Sequence, residues 1–230
     1  PGKPGAKLLL EADGSFCGTI GGGAIEHTVR GRQEEWFRLE VAQRLVIDLG
    51  VELGMDCGGT MELLVEPFAV QARLVLYGAG HVAIELAHLA ARVGYRVVVM
   101  DDRPEWANRK KFPEASEIIL APLDGSQTGV ALRADDAIVV VTRGHSHDYA
   151  MAARALGEPH AYLGVIGSRR KARVMRQKLA SAGVDEESLA RIHCPIGLDI
   201  ASETPAEIAV SIVAELIALR RRGDRVGALE

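Results

Sequence analysis

Short runs of consecutive apolar residues recur between residues 73 and 166, separated by segments whose apolar positions fall at helical spacing. RLVLY, YRVVVM, EIILA, AIVVVT and AYLGVI are the runs; HVAIELAHLAARVG, DYAMAARALG and SRRKARVMRQKLASAG are the spaced segments. A run with no polar alternation is a strand buried on both faces, and alternation with helices gives a parallel sheet covered on both sides. A last helix is marked by Thr204, Pro205 and Glu207, which form an N-cap, a first-turn proline and a capping-box acid. Arg220, Arg221 and Arg222 precede Gly223 at its far end, where cations suit the helix dipole.

The first 70 residues carry a different pattern. AKLLLEADGSFCGTI predicts two short strands joined at Asp13-Gly14. EHTVRGRQEEWFRLEVAQRLVIDLG reads as a helix with Val29, Trp36, Leu39 and Val46 on one stripe and Gly50 closing it. TMELLVEP is a strand that Pro67 ends. The expected fold is α/β: a small α+β domain over residues 1–70, followed by a Rossmann-like parallel-sheet domain over residues 71–230.

Composition narrows the function without choosing it. Of 230 residues, 48% are hydrophobic and 25% charged, as in ordinary globular domains. A net charge of −4 gives no bulk attraction for nucleic acid. No apolar run is long enough to span a bilayer, and no membrane partner is expected. Cys17, Cys57 and Cys194 are widely spaced, which suggests neither a disulfide framework nor a structural zinc site. With no secretory signal in view, these features point to a reducing cytoplasm. The start at Pro1, without an initiator Met, is compatible with a truncated first domain.

Three glycine-rich stretches stand out. YGAGHVA places Gly78, Gly80 and Ala83 in a G-x-G-x-x-A arrangement between a strand and a helix. An acidic pair, Asp101 and Asp102, ends the next strand about twenty residues on. Gly78 permits the tight turn, Gly80 lets a phosphate approach the backbone, and the helix N-terminus supplies free N–H groups. Asp101 at a strand end suits a ribose diol and hence NAD; equally, the glycines could serve only turn and packing. His81 would lie beside a bound phosphate, or start the helix with its ring in solvent. GTIGGGAIEHT contains Gly21, Gly22 and Gly23, and MDCGGT contains Cys57, Gly58 and Gly59. The triple glycine is either a ligand loop or a tight turn into a helix. Cys57 sits where packing does not call for a thiol, so metal binding or sulfur chemistry is open to it.

The remaining candidates follow the later strands. TRGHSHDY clusters His145, His147 and Asp148 where ligands of such folds bind. The histidines could ligate a metal, shuttle a proton, or touch the ligand held at Gly80, while Asp148 could simply cap the next helix. In IGSRRKAR, Ser168 is a plausible N-cap, and Arg169, Arg170 and Lys171 occupy the first helical turn. Cations there oppose the dipole, which an anion or acidic partner would explain; long side chains reaching solvent are the alternative. Cys194 and Cys17 both read as small buried fillers.

PGAKLLL, GTIGGGAIE, CGGTMELLVEP, LYGAGHVA, DDRPEWANRKKFP, TRGHSHDY, GVIGSRRKA and CPIGLDIASETPAEIAVSIVAELIA resemble, in order, the xanthine dehydrogenase accessory protein family, XdhC/CoxI. The likeness runs from Pro4 to about Arg220. It implies an accessory factor, a chaperone rather than a catalyst, that binds the molybdenum cofactor during sulfuration and passes it to an apo molybdenum hydroxylase. It further implies a cysteine desulfurase partner and a homodimer. Under this resemblance Gly78, Gly80 and His81 would hold the cofactor phosphate, with Asp101, His145, His147, Ser168 and Arg169 nearby. Gly21, Gly22, Gly23, Gly58 and Gly59 would approach the pterin and metal, Glu26 would bond the pterin nitrogens, and Cys57 would meet the molybdenum or a sulfur. An NAD-dependent oxidoreductase is the alternative class.

Overall fold

A computed structural model describes residues 3–11, 13–39, 41–51, 59–68, 71–127 and 129–222. The chain divides into two compact units, Pro1–Val70 and Gln71–Glu230.

The second unit is built on a six-stranded sheet of β5 (Arg73–Tyr77), β6 (Arg96–Asp101), β7 (Glu117–Leu120), β8 (Ala137–Val140), β9 (Tyr162–Val165) and β10 (Ile192–His193). Its order is β10-β9-β8-β5-β6-β7, and every pairing is parallel. The chain runs outward from β5 to β7, returns, and runs outward the other way from β8 to β10. Strand alternation feeds two cores. Leu74, Leu76, Val97, Val99 and Val139 face one, with Leu86 and Ala90 of α3 (His81–Arg92) and Ile212 and Leu216 of α7 (Pro205–Arg222). Val75, Tyr77, Val98, Met100 and Ile138 face the other, with Met151 of α4 (His145–Leu156) and Met175 of α5 (Arg169–Ser181). Burial on both faces is why these strands are continuously apolar in sequence.

α7 begins as its capping residues predict. Thr204 N–H donates to Glu207 Oε2 at 2.8 Å, and Glu207 N–H donates to Thr204 Oγ1 at 3.3 Å. The short helix α6 (Glu186–Ala190) and the edge strand β10 go beyond the expected elements. Both are too short to show a period. Among the described residues, no helix is long and apolar enough to cross a membrane.

In the first unit the hairpin of β1 (Leu8–Leu10) and β2 (Phe16–Gly18) forms as expected, with Gly14 at φ 82° in the turn. The expected helix from Glu26 to Gly50 does not. The chain makes α1 (Gly23–Gly31) and α2 (Gln33–Trp36), then β3 (Gln43–Asp48), which pairs antiparallel with β4 (Thr60–Val65). Val29 and Trp36 are buried, and the Trp36 indole N–H donates to the Val29 carbonyl at 2.8 Å. Val46, the last member of the supposed stripe, is exposed. Leu45 and Ile47 turn inward instead, so a period of two governs RLVID, and its β-branched residues suit a half-buried strand. Gly50 caps no helix; its N–H donates to Asp48 Oδ1 at 2.9 Å in a turn.

Cys17 also departs from expectation, because it is exposed. Leu8 and Leu10 lean on the small core, while Leu9 and its cross-strand neighbour Cys17 share the open face. A two-stranded hairpin has only one face to bury. Cys194 is buried, as expected of a filler.

Candidate functional site

The sheet order reverses between β5 and β8, and ligands of open parallel sheets settle at the carboxyl ends of the strands flanking such a reversal. The turn leaving β5 is built by two glycines with different tasks. Gly78 has φ 115°, and a Cβ there would stand 2.4 Å from the Val141 carbonyl oxygen. It is required by the fold itself. Gly80, at φ −75°, is the N-cap of α3, and a Cβ there would meet no atom within 4 Å. The space in front of the α3 N-terminus is therefore open, next to backbone N–H groups that the helix cannot satisfy.

Asp101 is fully buried, and its carboxylate holds this turn in place. It accepts from Ala79 N–H at 2.9 Å, from Arg103 N–H at 3.0 Å, and from the Arg103 guanidinium at 2.8 and 2.9 Å. Both oxygens are thus engaged within the protein, a different task from reading a ribose diol. Asp102, one residue on, is partly exposed and pairs with Arg143 through both guanidinium nitrogens, one contact measuring 2.8 Å. The Arg143 guanidinium holds the Asp102 carboxyl down to about 2. His81, exposed at the start of α3, meets the Trp106 ring edge-on at 5.1 Å.

Beyond β8 and β9 lies a cavity of about 600 Å³, lined among others by Arg143, His145, Ser168, Arg170 and Lys171. Lys171 is buried, and its Nζ donates to Asp148 Oδ2 and to the Ile166 carbonyl, each at 2.5 Å. Asp148 Oδ1 accepts from the Thr142 hydroxyl at 2.6 Å and from Thr142 N–H at 3.2 Å. Ser168 caps α5 as expected, accepting from Lys171 N–H at 3.2 Å. Of the three expected first-turn cations, only Arg169 and Arg170 reach solvent. Arg169 meets the exposed Asp199 at 3.3 Å, and Arg170 has no ion pair among the described residues.

The two histidines separate. His147 Nδ1 lies 2.9 Å from the Leu123 carbonyl, so the ring is tied to the scaffold. His145 is exposed at the cavity edge, with Nδ1 3.9 Å from Asp148 Oδ2. Among the described residues, no three His, Cys, Asp or Glu side chains gather as a metal site.

In the first unit Gly21, Gly22 and Gly23 have φ of 132°, 69° and 60°. Three successive residues in a region hostile to L side chains account for the triplet by themselves. Glu26 Oε1 closes the turn, accepting from Thr19 Oγ1 at 2.6 Å, Gly22 N–H at 3.0 Å and Ile20 N–H at 3.1 Å. These bonds, led by the Thr19 hydroxyl, hold its carboxyl below the usual range. Gly59 has φ 100°, and its carbonyl accepts from Leu49 N–H at 2.8 Å. Cys57 and Gly58 lie outside the described residues.

Two residues of the site, Thr142 and Arg143, carry no expectation from sequence; Lys171 is expected as a first-turn cation in need of an anion, which is Asp148, and Asp102 only as part of the acidic pair. Asp102 is visible in the sequence as half of an acidic pair. Nothing in the local pattern tells which half faces the turn.

Residues 74–216 match the XdhC Rossmann domain, and residues 1–46 match the XdhC and CoxI family. The chain is 35% identical over 221 residues to the uncharacterized protein YqeB of Escherichia coli (strain K12), covering 94% of this chain and 40% of YqeB. It is 34% identical over 163 residues to a probable xanthine dehydrogenase subunit of Bacillus subtilis (strain 168), covering 71% of this chain and 47% of that protein. The molybdenum cofactor insertion chaperone PaoD of Escherichia coli (strain K12) is 23% identical over 269 residues, covering 94% of this chain and 78% of PaoD. The chain thus spans less than half the length of the first two relatives. Among solved structures, a Bacillus halodurans protein described as a xanthine dehydrogenase superposes with a TM-score of 0.59 at 21% identity, covering 100% of this chain and 91% of that one. That likeness concerns the fold.

Proposed function

Because the chain belongs to the XdhC and CoxI family, we propose that it is an accessory protein of molybdenum-hydroxylase maturation that carries the molybdenum cofactor as cargo. The observations that carry this reading are the open α3 N-terminus at Gly80, after β5, and the cavity rimmed by Arg143 and Arg170 at the ends of β8 and β9, with β8 next to β5 in the sheet. A phosphate tail suits the first, and the cavity has room for a fused-ring head group. The insertion-chaperone role named for PaoD points the same way.

In this reading the protein binds and releases rather than transforms. Its recipient is an apo molybdenum hydroxylase in the cytoplasm, a cysteine desulfurase supplies sulfur for the terminal sulfido ligand, and the working form is a homodimer. Cys57 contacts the metal. Gly78 fixes the turn, Gly80 admits the phosphate, and Arg170 lines the cavity that takes the head group. A nicotinamide dinucleotide is the second reading, favoured by the strand order around β5.

Anaerobic mixing with released molybdenum cofactor, removal of the unbound fraction, and measurement of metal and pterin per chain tests the proposal. Near-stoichiometric retention is expected, with loss of metal in Cys57→Ser. No retention, where an established carrier succeeds, would overturn it; saturable NAD binding would then favour the second reading.

A further inference from the structure

Strands β8, β5 and β6 end side by side, with β5 in the middle. The turn leaving β5 is gripped from both flanks. On the β6 side Gly78 N–H donates to the Met100 carbonyl at 2.8 Å and Ala79 N–H to Asp101 at 2.9 Å. On the β8 side Gly78 lies against the Val141 backbone. Just beyond the flanks stand the partly exposed Asp102 after β6 and Arg143 after β8. Their strands are two spacings apart, about 10 Å. The two side chains close that distance in a bidentate ion pair across the carboxyl end of β5.

Among the described residues, neither has another ionic partner nearer than 4.0 Å. Arg103 Nε stands 4.0 Å from Asp102 but is committed to Asp101 at 2.8 Å. Arg143 stands 4.0 Å from Asp101, whose oxygens already hold Arg103 and Ala79 N–H. Each is therefore the other's shortest ionic contact, and exposure makes the pair cheap to break. A phosphate offers a guanidinium the same two-oxygen geometry as a carboxylate. While the pair stands, the cation at the mouth is neutralised and a carboxylate faces any incoming anion.

We propose that Arg143 and Asp102 form a latch over the glycine turn, which a phosphate-bearing ligand opens by displacing Asp102 from Arg143. Arg143 then works for binding and Asp102 against it. This rests on the reading that the Gly80 turn takes a phosphate group, and is independent of which molecule bears that group.

The test is calorimetric titration with inorganic pyrophosphate in a phosphate-free buffer, on the wild type and on Asp102→Asn, Arg143→Gln, the double variant and Gly80→Val, with folding checked by circular dichroism. Asp102→Asn should tighten binding about tenfold and Arg143→Gln weaken it about tenfold, with the double variant resembling Arg143→Gln. Gly80→Val should abolish binding. If Gly80→Val abolishes binding but Asp102→Asn leaves it unchanged or weaker, the latch is overturned while the phosphate reading stands. If neither wild type nor Asp102→Asn binds, or Gly80→Val binds normally, the phosphate reading falls and takes the latch with it.

Discussion

Lys171 Nζ sits 2.5 Å from Asp148 Oδ2, with both side chains buried beneath the cavity at the ends of β8 and β9. A cation at a helix N-terminus asks for an anion, and here the anion is a side chain of the neighbouring helix. Asp148 in turn fixes Thr142, at the foot of the Arg143 segment. The pair therefore shapes the cavity floor and leaves Arg143 and Arg170 as the cations a ligand can reach.

Breaking that pair should be costly. Lys171→Met leaves the Asp148 carboxylate buried beside an apolar side chain, and a loss of about 3–5 kcal/mol is expected in urea unfolding. The double variant Lys171→Met, Asp148→Leu should recover much of it, since no lone charge remains. A double variant no better than the single would show that Asp148 is needed chiefly for Thr142.

The two glycines of the β5 turn should respond oppositely. Gly78→Ala forces a Cβ to 2.4 Å from the Val141 carbonyl at φ 115°, and should cost more than about 2 kcal/mol. Gly80→Ala, at φ −75° with open space, should cost less than about 1 kcal/mol, the size of an N-cap change. Thermal melts of the two variants check this directly.

Glu215 of α7 ties β9, β10 and the Gly197 turn together. Its Oε2 accepts from Tyr162 OH at 2.7 Å and Gly197 N–H at 2.6 Å, and Oε1 lies 2.7 Å from His193 Nδ1. Burial pushes the carboxyl up, but the His193, Tyr162 and Gly197 bonds outweigh it and hold it below the usual glutamate range. A depressed folded value means that this stability is present above the unfolded value and fades as the pH falls through the folded one. Glu215→Gln should cost about 2 kcal/mol at neutral pH. As the pH falls through and below the usual glutamate range the gap to wild type should narrow, as read from denaturation midpoints against pH. A gap independent of pH would mean that the carboxylate charge is not what the site uses.

Thiol chemistry should separate the cysteines. In a Cys57→Ser background, Cys17 is exposed, while burial pushes the Cys194 thiol up. Labelling with a thiol reagent at pH 8 should modify Cys17 at once and Cys194 only on unfolding. Two equally fast sites would contradict the buried placement of Cys194.

The parallel sheet could be read from sequence because each central strand is buried on both faces, which leaves an uninterrupted apolar run. The glycine turn and the caps at Ser168 and Thr204 were legible too, since turns and caps are local chemistry. The segment after Trp36 was not. Val29, Trp36, Leu39 and Val46 satisfy a helical period by spacing alone, whereas β3 exists through pairing with β4, and pairing is not a local property. Exposure of Cys17 follows the same logic, because a strand's alternation does not say which face has something to pack against.

Within the site, the sequence by itself determined that a glycine turn, an acidic pair and a run of cations lie at strand ends. Tertiary structure decided how they divide the work. Asp101 turns inward to hold Ala79 and Arg103, Asp102 reaches Arg143 41 residues away, and Lys171 finds Asp148 23 residues back. Such pairings are made by strand order and helix packing, which bring distant residues within hydrogen-bonding reach, where low dielectric makes the choice of partner decisive.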